Sequence, residues 1–153
     1  MSRSDLESPG HGKLVSEFDR SNCSAMLTQL RWKPSEVPES PIDFVNGLYT
    51  VCGAGSLYAA NISMDKYAFC SADGDFFIVP QQERLWITTE CGRLQVSPGE
   101  IVVVPQGFRF AVDLPDGPSR GYLAEIFGSH FQLPDLGPIG ANGLASSRDF
   151  LVP

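Results

Sequence analysis

Side chains suited to metal or acid–base chemistry are scarce in this sequence and poorly spaced for it. The 153 residues include only two histidines, His11 and His130. A catalytic metal centre needs imidazole and carboxylate groups converging, with positions left open for substrate. His11 lies in a polar stretch, and His130 has one carboxylate nearby, Glu125, five positions earlier across the end of a strand and a loop. With no second imidazole close in sequence, His130 reads as a loop or interface histidine hydrogen-bonded to backbone. No serine occupies a Gly-x-Ser-x-Gly elbow. The glycines between residues 137 and 143 lack the adjacent lysine and the strand–turn–helix context of a phosphate cradle.

The cysteines point no more clearly to a site. Cys23, Cys52, Cys70 and Cys91 contain no C-x-x-C pair, which leaves zinc and thioredoxin-like readings without support, and small buried thiols are expected. Tyr58, Tyr67 and Phe69 could line an aromatic binding face, although barrel core is the expected use.

The elements that would have to position any site are strands. Residues 1–40 are polar, proline-bearing and weakly patterned, with a short helix expected near Lys13 to Phe18 and extended chain from Trp32 to Pro41. Residues 41–153 form the expected barrel domain, with a terminal loop from about residue 128. β-Branched and aromatic runs recur there, separated by Asp73-Gly74, Cys91-Gly92, Pro98-Gly99 and Pro115 to Pro118. Strands are expected at 44–51, 57–62, 66–70, 75–79, 84–89, 93–97, 100–104, 108–113 and 120–127. Alternation puts Leu94 and Val96, then Phe108, Phe110 and Val112, on inward faces; Phe77, Val79, Val102 and Val104 complete the expected core. The run from Ile101 to Val104 is apolar on both faces and should be covered on both. Many short strands without an amphipathic helix leave sandwich or closed barrel as the choices, and a jelly roll is both.

Within this cadence, Gly99, Pro105 and Gly107 keep every spacing of the pattern G-x5-P-x-G-x2-H, which resembles the second signature of cupins. Phe110 stands where that signature has its metal-binding histidine. The first signature would begin at Gly74 and place ligands near Pro80 and Gln82, neither of which suits iron. The barrel frame is legible, and its expected metal positions hold no ligand.

The segment from His130 to Leu151 is apolar but has the period of no regular element, because Pro134, Pro138 and several glycines interrupt it. Its Leu133, Leu136, Ile139, Leu144, Phe150 and Leu151 should seek burial, and an isolated chain is expected to expose them as a sticky patch. The stretch strongly resembles the loop LPDLGPIGANGLA(x)xRDFL of homogentisate dioxygenases, as do QLRWKP, DFVNGLYTVCGAG, DGDFFIVPQ and RGY upstream, from about Gln29 to Pro153. Residues 1–28 are read as unmatched. The resemblance implies an all-β, cupin-like jelly roll and, for the whole enzyme, Fe(II)-dependent opening of the homogentisate ring in tyrosine and phenylalanine catabolism. It also implies that the iron and its ligands belong to a C-terminal half beyond residue 153. On this reading the chain is an inactive scaffold half without catalytic, cofactor-binding or metal residues, whose partners are that C-terminal half or neighbouring subunits of a homo-oligomer. The other reading is a non-catalytic cupin that binds or regulates a partner.

Composition bounds the remaining classes. A net charge of −7 and scattered Lys and Arg argue against nucleic acid or an anionic membrane as partner. The opening residues have no apolar signal core, and no apolar run is long enough to span a bilayer, so the expected compartment is the cytoplasm.

Overall fold

The computed structural model describes residues 36–52, 55–135, 141–145 and 147–153. The helix expected near Lys13 and residues 32–35 of the extended stretch expected from Trp32 to Pro41 lie outside the described residues; residues 36–41 are in neither helix nor strand. Among the described residues there are nine strands: β1 Leu48–Cys52, β2 Gly55–Ala60, β3 Phe69–Cys70, β4 Gly74–Gln82, β5 Leu85–Thr89, β6 Gly92–Val96, β7 Val102–Val104, β8 Arg109–Asp113 and β9 Ser119–Phe127. Each lies within or close to one of the nine expected segments.

Their pairing makes a five-stranded sheet, β1-β2-β9-β4-β7, and a four-stranded sheet, β3-β8-β5-β6. Apart from β1, which extends one edge, this is the strand order of a jelly roll, two interlocked Greek keys whose sheets share one core. The fold is therefore all-β, and every strand pair among the described residues is antiparallel.

Turn chemistry accounts for the boundaries. The first strand starts at Leu48 rather than at 44, because Asp43 captures the chain before it. Its Oδ1 accepts the N–H groups of Val45 at 3.0 Å and Asn46 at 3.1 Å, and its carbonyl accepts Gly47 N–H at 2.9 Å. Pro98-Gly99 forms the expected turn. Glu100 donates its N–H to the Ser97 carbonyl at 3.0 Å, and Gly99 has φ of 95°, which a type II turn requires at that position.

The core lies between the sheets. Val96, Val102, Val104, Phe110 and Val112 are buried as expected, and Leu94 and Phe108 pack against them partly covered. Phe77 and Val79 do not join this core. In β4 the inward side chains are Phe76 and Ile78, while Phe77 and Val79 face outward, half-buried. A strand apolar on both faces carries no period-2 signal, so its register with β7 and β9 decides which face turns in. The same cause corrects the reading of β7. Val102 and Val104 are buried, but Val103 is 37% exposed and Ile101 57%, so the outward face is not covered.

The terminal segment adds two short 3-10 turns, Ala141–Gly143 and Ser147–Asp149, with Ala145 N–H bonded to the Asp135 carbonyl at 3.0 Å. Leu133, Leu144, Leu151 and Val152 are all more than half exposed. Leu136 and Ile139 lie outside the described residues.

Candidate functional site

In a jelly roll, ligand chemistry belongs inside the barrel or at its mouths, so the inward residues define what this one can do. Phe110, on β8, is 1% exposed at the centre of an aromatic cluster. It meets Phe69 at 5.9 Å, Phe76 at 6.0 Å and Phe44 at 6.3 Å between ring centroids, each edge to face. Phe44 in turn lies 4.8 Å from Tyr58. These are favourable aromatic geometries, and they fill the interior with carbon.

Of the other two expected ligand positions, Pro80 is buried in the wall of β4 and Gln82 is half-buried at the strand's end. The Gln82 carbonyl accepts the Ser119 hydroxyl at 2.8 Å, and Ser119 Oγ shares a 3.3 Å hydrogen bond with the Tyr58 hydroxyl. Burial pushes the Tyr58 phenol up to about 12, and the Ser119 contact offsets part of that rise. Room for the ring comes from Gly121, opposite Tyr58 on β9. A Cβ there would lie 2.6 Å from a Tyr58 ring carbon.

Iron does not fit this interior. A benzene ring, a proline and an amide offer none of the imidazole or carboxylate donors the metal requires. Among the described residues, no group of three or more His, Cys, Asp and Glu side chains could hold a metal ion.

The structure separates His130 from Glu125 and gives each another partner. His130 bonds not to backbone but to a carboxylate, its Nδ1 lying 3.0 Å from Asp75 Oδ1. Asp75, only 2% exposed, also accepts the N–H groups of Gln106 at 2.7 Å and Phe131 at 2.9 Å. Burial alone would raise the Asp75 pKa, but these two N–H donors and His130 outweigh it and hold the carboxyl below its usual range. The group ties β4, the turn after β7 and the chain leaving β9 together, which is positioning rather than catalysis. Sequence reading missed Asp75; its only signal is a lone charge at the start of an apolar strand.

Glu125 instead accepts the Ser71 hydroxyl at 3.0 Å. Burial raises its pKa, the Ser71 bond offsets part of the rise, and neighbouring Asp73 adds repulsion, leaving it above the usual carboxylate value. It packs tightly against Gly74, where a Cβ would lie 2.6 Å from Glu125 Cγ.

The remaining candidates do not converge. Tyr58 and Phe69 belong to the core or pack against it, but Tyr67 is 46% exposed and its hydroxyl accepts Asn46 Nδ2–H at 3.2 Å. Cys70 and Cys91 are exposed rather than buried. Cys70 follows inward Phe69 in β3 and so points out, and Cys91 sits in the β5–β6 turn. The side chain of Cys52, and all of Cys23 and His11, lie outside the described residues. At the mouth beside Gln82, a cleft of about 550 Å³ is lined in part by Arg84, Asp116 and Arg120. Arg84 is committed there to a bidentate pair with Asp116.

Comparison with known proteins settles the kinship. The family model described as Homogentisate 1,2-dioxygenase N-terminal matches residues 4–153. The chain belongs to this family. The homogentisate 1,2-dioxygenase of Arabidopsis thaliana is 66% identical over 155 residues, and that of Oryza sativa subsp. japonica 67% over 159; each alignment covers 95% of this chain and 34% of the relative. That of Drosophila melanogaster is 56% identical over 138 residues, covering 82% of this chain and 31% of the relative. The chain thus spans about a third of the length of the curated relatives it matches. The homogentisate dioxygenase match also corrects the reading of residues 1–28, since it begins at residue 4. That polar stretch has no strand cadence from which motif reading could have found the kinship. Among solved structures, the Schizosaccharomyces pombe Cnp3 cupin domain is 12% identical with a TM-score of 0.44, covering 48% of this chain and 54% of that one. A cupin-2 domain protein of Shewanella frigidimarina is 16% identical with a TM-score of 0.41, covering 63% and 82%. No helix among the described residues is long and apolar enough to cross a membrane.

Proposed function

We propose that this chain is the structural barrel of a homogentisate 1,2-dioxygenase, supplying scaffold and packing surface while the reaction takes place in the C-terminal half of the whole enzyme. One observation carries the reading: a chain that matches this family from residue 4 to 153 has its barrel interior occupied by Phe44, Tyr58, Phe69, Phe76 and Phe110. The whole enzyme opens the ring of homogentisate with dioxygen, both oxygen atoms entering maleylacetoacetate, in the cytoplasmic breakdown of tyrosine and phenylalanine. When bound, ferrous iron supplies the positions on which substrate and oxygen meet. The donors for that iron lie in the C-terminal half, and the scaffold's partners are that half or neighbouring subunits of a homo-oligomer.

The test is anaerobic loading with ferrous iron followed by oxygen uptake with homogentisate, comparing this chain with the full-length Arabidopsis relative. Stoichiometric iron and turnover are expected of the full-length protein only. Tight iron binding with turnover by the short chain would overturn the scaffold reading. If the full-length relative neither holds iron nor turns over homogentisate, the activity assigned to the whole enzyme is wrong.

A further inference from the structure

The two outward faces of the jelly roll differ in chemistry. On the four-stranded sheet the outer side chains satisfy one another. The Arg93 guanidinium lies 4.8 Å over the Trp86 ring and pairs with Asp113 at 3.3 Å, and Trp86 Nε1–H donates to Gln95 at 3.3 Å. That face is finished against water. On the five-stranded sheet, register places Leu57, Tyr122 and Val79 in one row across three strands and Val103 beside Phe77 in the next. Tyr122 is 44% exposed and Val103 37%, with Ile101 beside them at 57%. Charged groups flank this strip without entering it, Arg120 on one side and the Asp75–His130 pair on the other. A contiguous apolar strip rimmed by polar groups marks a surface that something covers, unlike scattered exposed hydrophobes.

The chain itself begins that cover. After β9, Phe131 lies against the outer side of Phe77 with ring centroids 5.4 Å apart, held there by its N–H bond to Asp75. Beyond Phe77, Val79, Tyr122, Ile101 and Val103 extend the same apolar surface.

We infer that the outer face of the five-stranded sheet is the seat of the downstream portion of a homogentisate 1,2-dioxygenase, which packs on Val79, Val103 and Tyr122 through an apolar, uncharged surface of its own. This rests on the function proposed above and names the surface through which that scaffold works. Two observations favour this occupant over a second copy of the chain. About two thirds of each plant relative has no counterpart here, and the contact with Phe131 shows the polypeptide after β9 already running onto this face. A second copy would instead bring two chains of net charge −7 together.

The experiment uses this chain and the full-length Arabidopsis relative. Cysteine is placed at Val103 and, as a control on the finished face, at Gln95, in this chain and at the aligned positions of the relative. Maleimide labelling is then followed by peptide mapping, which separates the signals of the native cysteines, here Cys23, Cys52, Cys70 and Cys91. Labelling at position 103 is expected to be slower in the relative by more than about tenfold, the signature of a site reached only by local opening, with position 95 equal in both. In the relative, photoreactive benzoylphenylalanine at the position of Tyr122 should crosslink to peptides downstream of the position matching Pro153, at the mass of a single polypeptide. Equal labelling at 103, or crosslinks only at twice that mass, would overturn the inference, the latter assigning the face to a second subunit. Homogentisate turnover is measured on the same preparations. A relative that turns over substrate with position 103 open keeps the proposed activity and rejects the docking face. Protection at 103 without turnover does the reverse.

Discussion

His130 and Asp75 stand 55 positions apart in sequence, yet His130 Nδ1 lies 3.0 Å from the Asp75 carboxylate. Through this carboxylate, which also accepts Gln106 and Phe131 N–H groups, the terminal segment is fastened to the start of β4. Because the folded-state pKa of Asp75 is depressed below its ordinary 3.8, its ionised form favours folding. That contribution is complete above about pH 5 and is lost as pH falls through the depressed value. Asp75→Asn should cost about 1 to 3 kcal/mol at pH 7, since one amide oxygen cannot serve all three donors, and should flatten the acid limb of stability. Urea denaturation across pH 2 to 7 checks both; an unchanged acid limb would show that another carboxylate governs it.

Glu125 should behave oppositely. Its pKa is raised above the ordinary 4.5, chiefly by burial, so the folded chain takes up its proton more readily than the unfolded one. Stability should rise as pH falls from neutral through the raised value and level off below the ordinary one. Glu125→Gln keeps an oxygen for the Ser71 hydroxyl and removes the charge, so its melting temperature at pH 7 should exceed that of the parent, with the difference vanishing in mild acid. Equal melting temperatures at pH 7 would mean that the carboxylate is not strained.

Phe110 should be the costliest single truncation in the barrel. Phe110→Ala removes a ring that touches Phe44, Phe69 and Phe76 and leaves a cavity, for a loss of about 3 to 5 kcal/mol. A denaturation midpoint close to the parent's would contradict its central place. Phe110→His should create no ferrous iron site, because one imidazole among the rings of Phe44, Phe69 and Phe76 has no partner ligands. Titration with iron under anaerobic conditions measures this directly.

Tyr58 and Gly121 should prove complementary. Tyr58→Phe removes the hydroxyl shared with Ser119 while leaving Ser119 bonded to Gln82, a loss of about 1 kcal/mol. Gly121→Ala drives a methyl group onto the Val79 carbonyl oxygen as well as against the Tyr58 ring, and should cost more than Tyr58→Phe does. The reverse order of midpoints in urea would refute the packing described for this pair.

Local chemistry carried much of this structure into the sequence. The segments that became strands, the turn at Pro98-Gly99, the inward placement of Val96, Phe110 and Val112, and the absence of ligands at Pro80, Gln82 and Phe110 all follow from residue type and spacing within short windows. The kinship of residues 29–153 was equally legible, because their motifs are long and odd; that of residues 4–28 was not.

Tertiary structure decided whatever a window cannot hold. Which face of β4 turns inward depends on its register with β7 and β9, because Phe76, Phe77, Ile78 and Val79 are apolar alike. The partner of His130 is Asp75 rather than backbone, and the partner of Glu125 is Ser71, because chain crossings bring distant polar groups together at one end of the barrel. The exposure of Ile101 and Val103 was likewise invisible, since an apolar residue specifies burial only when something in three dimensions arrives to cover it.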